Sequence, residues 1–405
     1  MDVFRQSDYN SVADDVRKYC NGIVTNTGNK VWLQGLVSEL SISNNNLYYY
    51  DCSETWDEIN EKYDCVVLSE ANLLNVQYKH NILFLANEFK QCKIPIYLIA
   101  VGAQARSYDH IDALCKEIRT ETEAFLHSIY ETGGEIACRG YFTKEVLDRI
   151  CKNTAEVVGC PALFQNGRDL SIPENKVLQS EIRPVINGNF RCKDRMLSKY
   201  KDAVYIDQDG WFDYFYDIKK YDNCSDAEII KKIMRSEGYF KSNLFFDGRL
   251  KLFWDVPEWY RFLKEKEFNF SIGSRIHGAI MSLLAGIPSA LCIVDSRTRE
   301  MGEYYNIPIM FSPYYRGKTL FELYSEVDYS EFNKKYPVLY GKFNSFLKKY
   351  GLVEEINENN IFWNKKRPIP NLSIEAKIAE LSEEYHKNRL RYMVSYAQNR
   401  QDGKK

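Results

Sequence analysis

One stretch of the chain gathers the side chains that chemistry needs: Phe268-Asn-Phe-Ser-Ile-Gly-Ser-Arg-Ile-His-Gly-Ala-Ile-Met-Ser-Leu-Leu-Ala-Gly-Ile-Pro288. An apolar strand runs into Gly273-Ser274, and Arg275 and His277 appear as a helix over His277–Ala285 opens. The first amides of a helix have no carbonyl partner within it, and together with the helix dipole they favour an anion. Arg275 adds a planar fork matched to phosphate or carboxylate. His277 can give or take a proton near neutral pH. Gly278 has no side chain, so a neighbour can approach the start of the helix closely. Taken alone, Arg-x-His-Gly also reads as an arginine paired with a structural carboxylate beside a core histidine. Its place at a strand-to-helix junction favours the anion site.

The elements that must hold this segment are legible as an alternation. Asp64–Leu68, Ile94–Val101, Glu135–Cys138 and Ala155–Val158 read as strands, with helices over His80–Cys92, His110–Thr132 and Thr143–Lys152 between them. Asn166–Glu181 is rich in Gly, Pro, Asn and Asp and reads as a linker. A second alternation follows: strands at Pro184–Ile186, Ala203–Ile206, Lys251–Trp254, Asn269–Ile272 and Ser289–Val294, and helices at Ala227–Glu237, Pro257–Lys266 and His277–Ala285. Strand–helix alternation calls for parallel sheets covered on both faces. The expected fold is therefore α/β, with two Rossmann-like domains facing a cleft at the carboxyl ends of their strands. The division expected is 1–166 for the first domain, 182–328 for the second and 329–405 for a helical C-terminal extension. In that extension Ile374–Asn399 reads as a helix that packs back on the first domain or touches a membrane or lipid-linked substrate.

Composition narrows the functions. The 405 residues carry 54 Lys plus Arg against 56 Asp plus Glu, a formal charge of −2, so no basic field points to nucleic acid. The 30 Tyr and 22 Phe suit carbohydrate surfaces but also follow from AT-rich coding. The 11 Cys include no C-x-x-C pair and do not cluster with the five His, so neither a metal site nor a disulfide framework is expected. The start, MDVFRQSDYN, lacks the apolar core of a signal peptide, and no run of about 18 apolar residues occurs, so a cytoplasmic location is expected.

The sequence resembles the polysaccharide pyruvyl transferase family. The likeness is carried by Ile272-Gly-Ser-Arg-Ile-His-Gly278, Ala285-Gly-Ile-Pro288, Asp295-Ser-Arg-Thr-Arg-Glu-Met301 and Asn306-Ile-Pro308. It extends to Tyr97–Gln104, to Cys138-Arg-Gly-Tyr-Phe-Thr-Lys144 in the place of an Arg-Asp-x-x-Ser stretch, and to Asn26-Thr-Gly-Asn29 in the place of Asn-x-Gly-Asp. The resemblance implies a fold similar to the GT-B glycosyltransferase type. It implies phosphoenolpyruvate as donor substrate with no cofactor, and a sugar or oligosaccharide acceptor, free or lipid-linked, modified at the inner face of the membrane. It further implies donor contacts from Arg139, Arg275 and His277, with Ile276 and Gly278 in the same turn and His277 as the acid.

Three positions depart from the family pattern. Gly140 stands where an orienting Asp follows the arginine, Asn29 replaces the opening Asp, and Ser69-Glu-Ala-Asn72 occupies the place of a Gly-rich turn. Weaker candidates surround the site. Gln104 and Gly102 end a strand facing the cleft; Asn26 and Gly28 lie on an early turn where N-capping competes with acceptor contact. Glu70 is a candidate base for a hydroxyl. Asp295, Arg297 and Glu300 read as a brace behind the site or as a capping network. Asn187–Phe190 and Gln208–Trp211 offer aromatic and amide groups to a sugar. Two other readings stay open: a glycosyltransferase of the same architecture using a sugar nucleotide, and a non-catalytic binding protein.

Overall fold

The computed structural model describes residues 26–40, 54–151, 155–174, 176–188, 199–208, 249–253, 256–315 and 317–354. The helices expected over Ala227–Glu237 and Ile374–Asn399, and the side chains of Asn189, Phe190 and Trp211, lie outside the described residues.

The first half contains α1 (Gly28–Leu40), α2 (Trp56–Lys62), β1 (Val66–Ser69), α3 (Lys79–Phe89), β2 (Ile96–Val101), α4 (Ile111–Tyr130), β3 (Glu135–Cys138), α5 (Tyr141–Ile150) and β4 (Glu156–Val157). Its four strands pair in parallel in the order β1-β2-β3-β4. The second half contains β5 (Pro184–Asn187), β6 (Val204–Asp207), β7 (Leu250–Leu252), α6 (Val256–Glu265), β8 (Phe270–Gly273), α7 (Ile276–Leu284), β9 (Ser289–Ile293), α8 (Ser296–Tyr305) and β10 (Ile309–Phe311). Its six strands run parallel in the order β10-β9-β8-β5-β6-β7. The chain is thus an α/β protein with two parallel sheets. β2, β5, β6 and β8 are buried along their whole length, which is why they are mostly apolar rather than alternating, β2 without a break.

Three further helices follow: α9 (Ser312–Tyr315), α10 (Leu320–Ser325) and α11 (Ser330–Lys349). α11 returns to the first half. The Phe164 ring lies 5.1 Å from Phe343 and 5.9 Å from Tyr336, and the Tyr336 hydroxyl donates to the Leu163 and Gly167 carbonyls at 3.1 and 2.7 Å. Beyond the helix end, the Tyr350 ring packs 5.6 Å from Tyr97 of β2.

The strands lead to the site through local irregularities. In β2 the register slips between Leu98 and Val101, where Ala100 takes a positive φ of 60°. Such a bulge re-aims the end of a strand, and here the re-aimed end is Gly102. The strand expected over Ala155–Val158 contracts to Glu156–Val157, because Gly159 at φ 88° turns the chain and Pro161 has no amide to continue a ladder.

Glycine at the end of β8 is demanded by a close approach. A Cβ on Gly273 would lie 1.8 Å from the Asn187 carbonyl oxygen, with backbone on both sides of the contact. Gly273→Ala is therefore expected to destabilise the fold by about 3 kcal/mol. Gly341→Ala, inside α11 where nothing lies within 4 Å, is expected to stabilise it by up to about 1 kcal/mol. Denaturant midpoints of the two variants check the contrast.

Candidate active site

Arg139 leaves the carboxyl end of β3 and is 4% exposed. Its guanidinium lies against the Cα of Gly102: a Cβ there would stand 2.1 Å from Cζ and Nη2. Nη2 donates to Asn72 Oδ1 at 3.2 Å, and Nε faces Glu300 Oε2 at 3.6 Å. Glu300 is 2% exposed and comes from α8 of the second half. Its carboxylate also accepts from the Thr143 amide at 2.6 Å and the Thr143 hydroxyl at 3.0 Å. Thr143 Oγ1 in turn accepts from the Ala103 amide at 2.9 Å. One carboxylate therefore joins the arginine, the first turn of α5 and the loop after β2.

The second half supplies the opposite wall. Gly188, at φ 74°, has the Arg275 stem over its Cα, with Cγ 2.1 Å from where a Cβ would stand. Burial lowers the Arg275 pKa, opposed by the Asp207 carboxylate at the end of β6. Arg275 is also the N-cap of α7, so Ile276, His277 and Gly278 form the first turn, whose amides have no partner within the helix. The space before Gly278 is filled by Asn187: its Oδ1 lies 2.5 Å from where a Cβ would stand, so the missing side chain serves helix–strand packing. Arg297 is held by Asp295 at 2.6 and 2.9 Å, and Asp295 accepts a long 3.4 Å hydrogen bond from Gln104. Asp295 also caps α8 by accepting from the Thr298 amide at 3.1 Å, so it is both brace and cap.

His277 lies at the meeting point and is buried. Its pKa is pushed down to about 3, first by burial and then by the positive charges of Arg139, Arg297 and Arg275. Guanidiniums from both halves thus act on the imidazole, with Arg139 paired to Glu300 and Arg297 to Asp295. Buried in that field, the imidazole is neutral at pH 7.

The weaker candidates are placed as follows. Asn26 Oδ1 accepts from the Gly28 amide at 2.8 Å, which is a turn-and-cap role at the start of α1. Gly28 is where α1 meets the site: a Cβ there would stand 2.4 Å from Gln208 Oε1 and 3.0 Å from His277 Cβ. Glu70 is buried just beyond β1. Asn72 and Gln208 were not singled out individually by the sequence reading. The Gln208 side chain is buried with its Nε2 unpartnered, although its position at the end of a parallel strand was a usable signal.

Parallel strands of two sheets lead to a buried imidazole whose nearby charges are guanidiniums. The chain belongs to the polysaccharide pyruvyl transferase family, whose model matches residues 19–296. No curated protein sequence matches it significantly. Among solved structures, a Staphylococcus aureus MnaA–UDP complex is similar at TM-score 0.40 and 12% identity, over 88% of this chain and 86% of that one. UDP-GlcNAc 2-epimerase from Neisseria meningitidis gives 0.36 and 11%, over 94% and 95%. The glycosyltransferase SnogD from Streptomyces nogalater gives 0.32 and 11%, over 87% and 86%. Likeness at these scores says nothing about chemistry. Among the described residues no helix is long and apolar enough to cross a membrane.

Proposed function

We propose that the chain transfers the pyruvyl group of phosphoenolpyruvate to two hydroxyls of a sugar in a polysaccharide or its precursor. The observation that carries this reading is Arg139, laid over Gly102 in the first half, and Arg275, the N-cap of the helix whose first turn holds the buried His277, acting with Arg297 as positive charges on that imidazole. Phosphoenolpyruvate bears a phosphate and a carboxylate a few ångströms apart, so it needs more than one cation, and the fork of arginine fits both groups. The amides opening α7 add donors for the phosphate.

Donor charge offsets the guanidinium field, so the imidazole takes up a proton on binding and passes it to the methylene carbon. The methylene becomes a methyl group, and the adjacent carbon develops oxocarbenium character. One sugar hydroxyl adds to that carbon; the second replaces the phosphate, whose C–O bond breaks. Of the two hydroxyl protons, one balances that delivered to carbon and the other leaves with phosphate. No electron changes hands, so the proposal calls for no redox cofactor. The developing positive charge and the reactive intermediate are best kept from water, which suits a site walled by two domains.

Incubation with phosphoenolpyruvate and an acceptor oligosaccharide tests the reading. Phosphate release matched by an acceptor heavier by a pyruvate ketal is expected. Glycosyl transfer from a sugar nucleotide, with no phosphate release from phosphoenolpyruvate, would overturn it.

A further inference from the structure

Gly140 and Glu300 occupy one space. A Cβ on Gly140 would stand 2.3 Å from Glu300 Cγ and 2.7 Å from its Cδ and Oε1. Gly140 is also the N-cap of α5 and makes no side-chain capping bond, while the amide a cap would satisfy, that of Thr143, donates to Glu300 instead. An Asp at an N-cap position accepts from just that amide, three residues on. The chain therefore lacks a local carboxylate beside Arg139 and receives one from α8, 160 residues later in sequence by numbering (300 minus 140). Gly140 has φ −170°, an extended backbone open to any residue, so glycine is required here only by the space that Glu300 fills.

We propose that Glu300 is the positioning residue for Arg139, so that the donor-binding arginine of the first domain is set in place by a carboxylate of the second. The inference rests on the reading that Arg139 holds the donor. Among the described residues, Asn72 and Glu300 are the side chains that align the guanidinium, and Asn72 is neutral. The helix carrying Glu300 is fastened to the first half beside it: the Ser296 amide donates to the Ala105 carbonyl at 3.1 Å, and Ser296 Oγ accepts from the Ala105 amide at 2.9 Å. The Arg299 guanidinium adds a contact 4.2 Å from the centre of the Tyr108 ring. Donor recognition is thereby coupled to the docking of the two halves through one buried ion pair.

Mutual exclusion provides the test. Gly140→Asp alone sets a carboxylate against Glu300 and is expected to lower the melting temperature. Glu300→Ala alone leaves Arg139 buried without its counter-charge and is expected to weaken phosphoenolpyruvate binding roughly ten- to a hundredfold. Combined, the two changes place a carboxylate in the vacated space and are expected to recover both melting temperature and affinity, a coupling of opposite sign to the single effects. Glu300→Gln separates positioning from capping: it keeps an acceptor for the Thr143 amide, so stability should largely hold while donor affinity falls. Full affinity in a folded Glu300→Gln protein, or no recovery in the double variant, would overturn the proposal. Wild-type protein that binds no phosphoenolpyruvate would instead remove the donor reading on which it rests, a result distinguishable from either.

Discussion

Gly102→Ala is expected to leave the fold standing and cut turnover with phosphoenolpyruvate roughly a hundredfold. The added methyl would sit 2.1–2.2 Å from three atoms of the Arg139 guanidinium. The atoms it meets are the far end of a flexible side chain, so the arginine swings away and the backbone stays. A displacement of about an ångström is enough to lose such a rate factor when the moved group orients the substrate. Melting temperature together with kcat/KM checks this. Near-normal kcat/KM in a folded variant would mean that the guanidinium over Gly102 does not hold the donor.

His277→Asn is expected to lower kcat by roughly 10²–10⁴ while donor affinity changes much less. Arg275→Lys should do the reverse: it keeps the charge, loses the two-pronged fork, and weakens donor binding by about ten- to a hundredfold. The same histidine sets a pH signature for stability. Its value is lowered from 6.5 to about 3 in the fold, so below pH 6.5 the unfolded chain takes up a proton that the folded chain refuses. Its contribution is fully present above 6.5 and is lost as pH falls toward 3. Denaturant titrations across that window should show wild-type stability falling more steeply than that of His277→Asn. Parallel curves, or unimpaired kcat, would separate His277 from the proton transfer.

The positions of the candidate residues are legible in the sequence because these residues stand at strand ends. Arg139 follows β3, Arg275 follows β8 and Gly102 follows β2, and buried parallel strands announce themselves as apolar runs. Thr55-Trp-Asp-Glu58 carries the capping-box spacing, and Glu58 does return a bond to the Thr55 amide at 2.8 Å, yet the helix it opens was not anticipated. β10 has three residues between Pro308 and Ser312, too few to show a period. What sequence could not show is what depends on pairing across the chain. Gly278 announces a close neighbour at the start of the helix, but not that the neighbour is Asn187, 91 positions away by numbering (278 minus 187). The exchange of a carboxylate between positions 140 and 300 is invisible along the chain, since nothing local to Gly140 points to α8.

The most direct measurement is a calorimetric titration of the wild-type protein with phosphoenolpyruvate at pH 7, repeated in buffers of different ionisation enthalpy, beside one with UDP-sugars. Binding of phosphoenolpyruvate with uptake of a proton is the expected result, because the bound anion offsets the guanidinium charges that, after burial, lower the His277 pKa. Tight binding of a UDP-sugar with no response to phosphoenolpyruvate would contradict the donor assignment, and phosphoenolpyruvate binding without proton uptake would contradict the role given to His277.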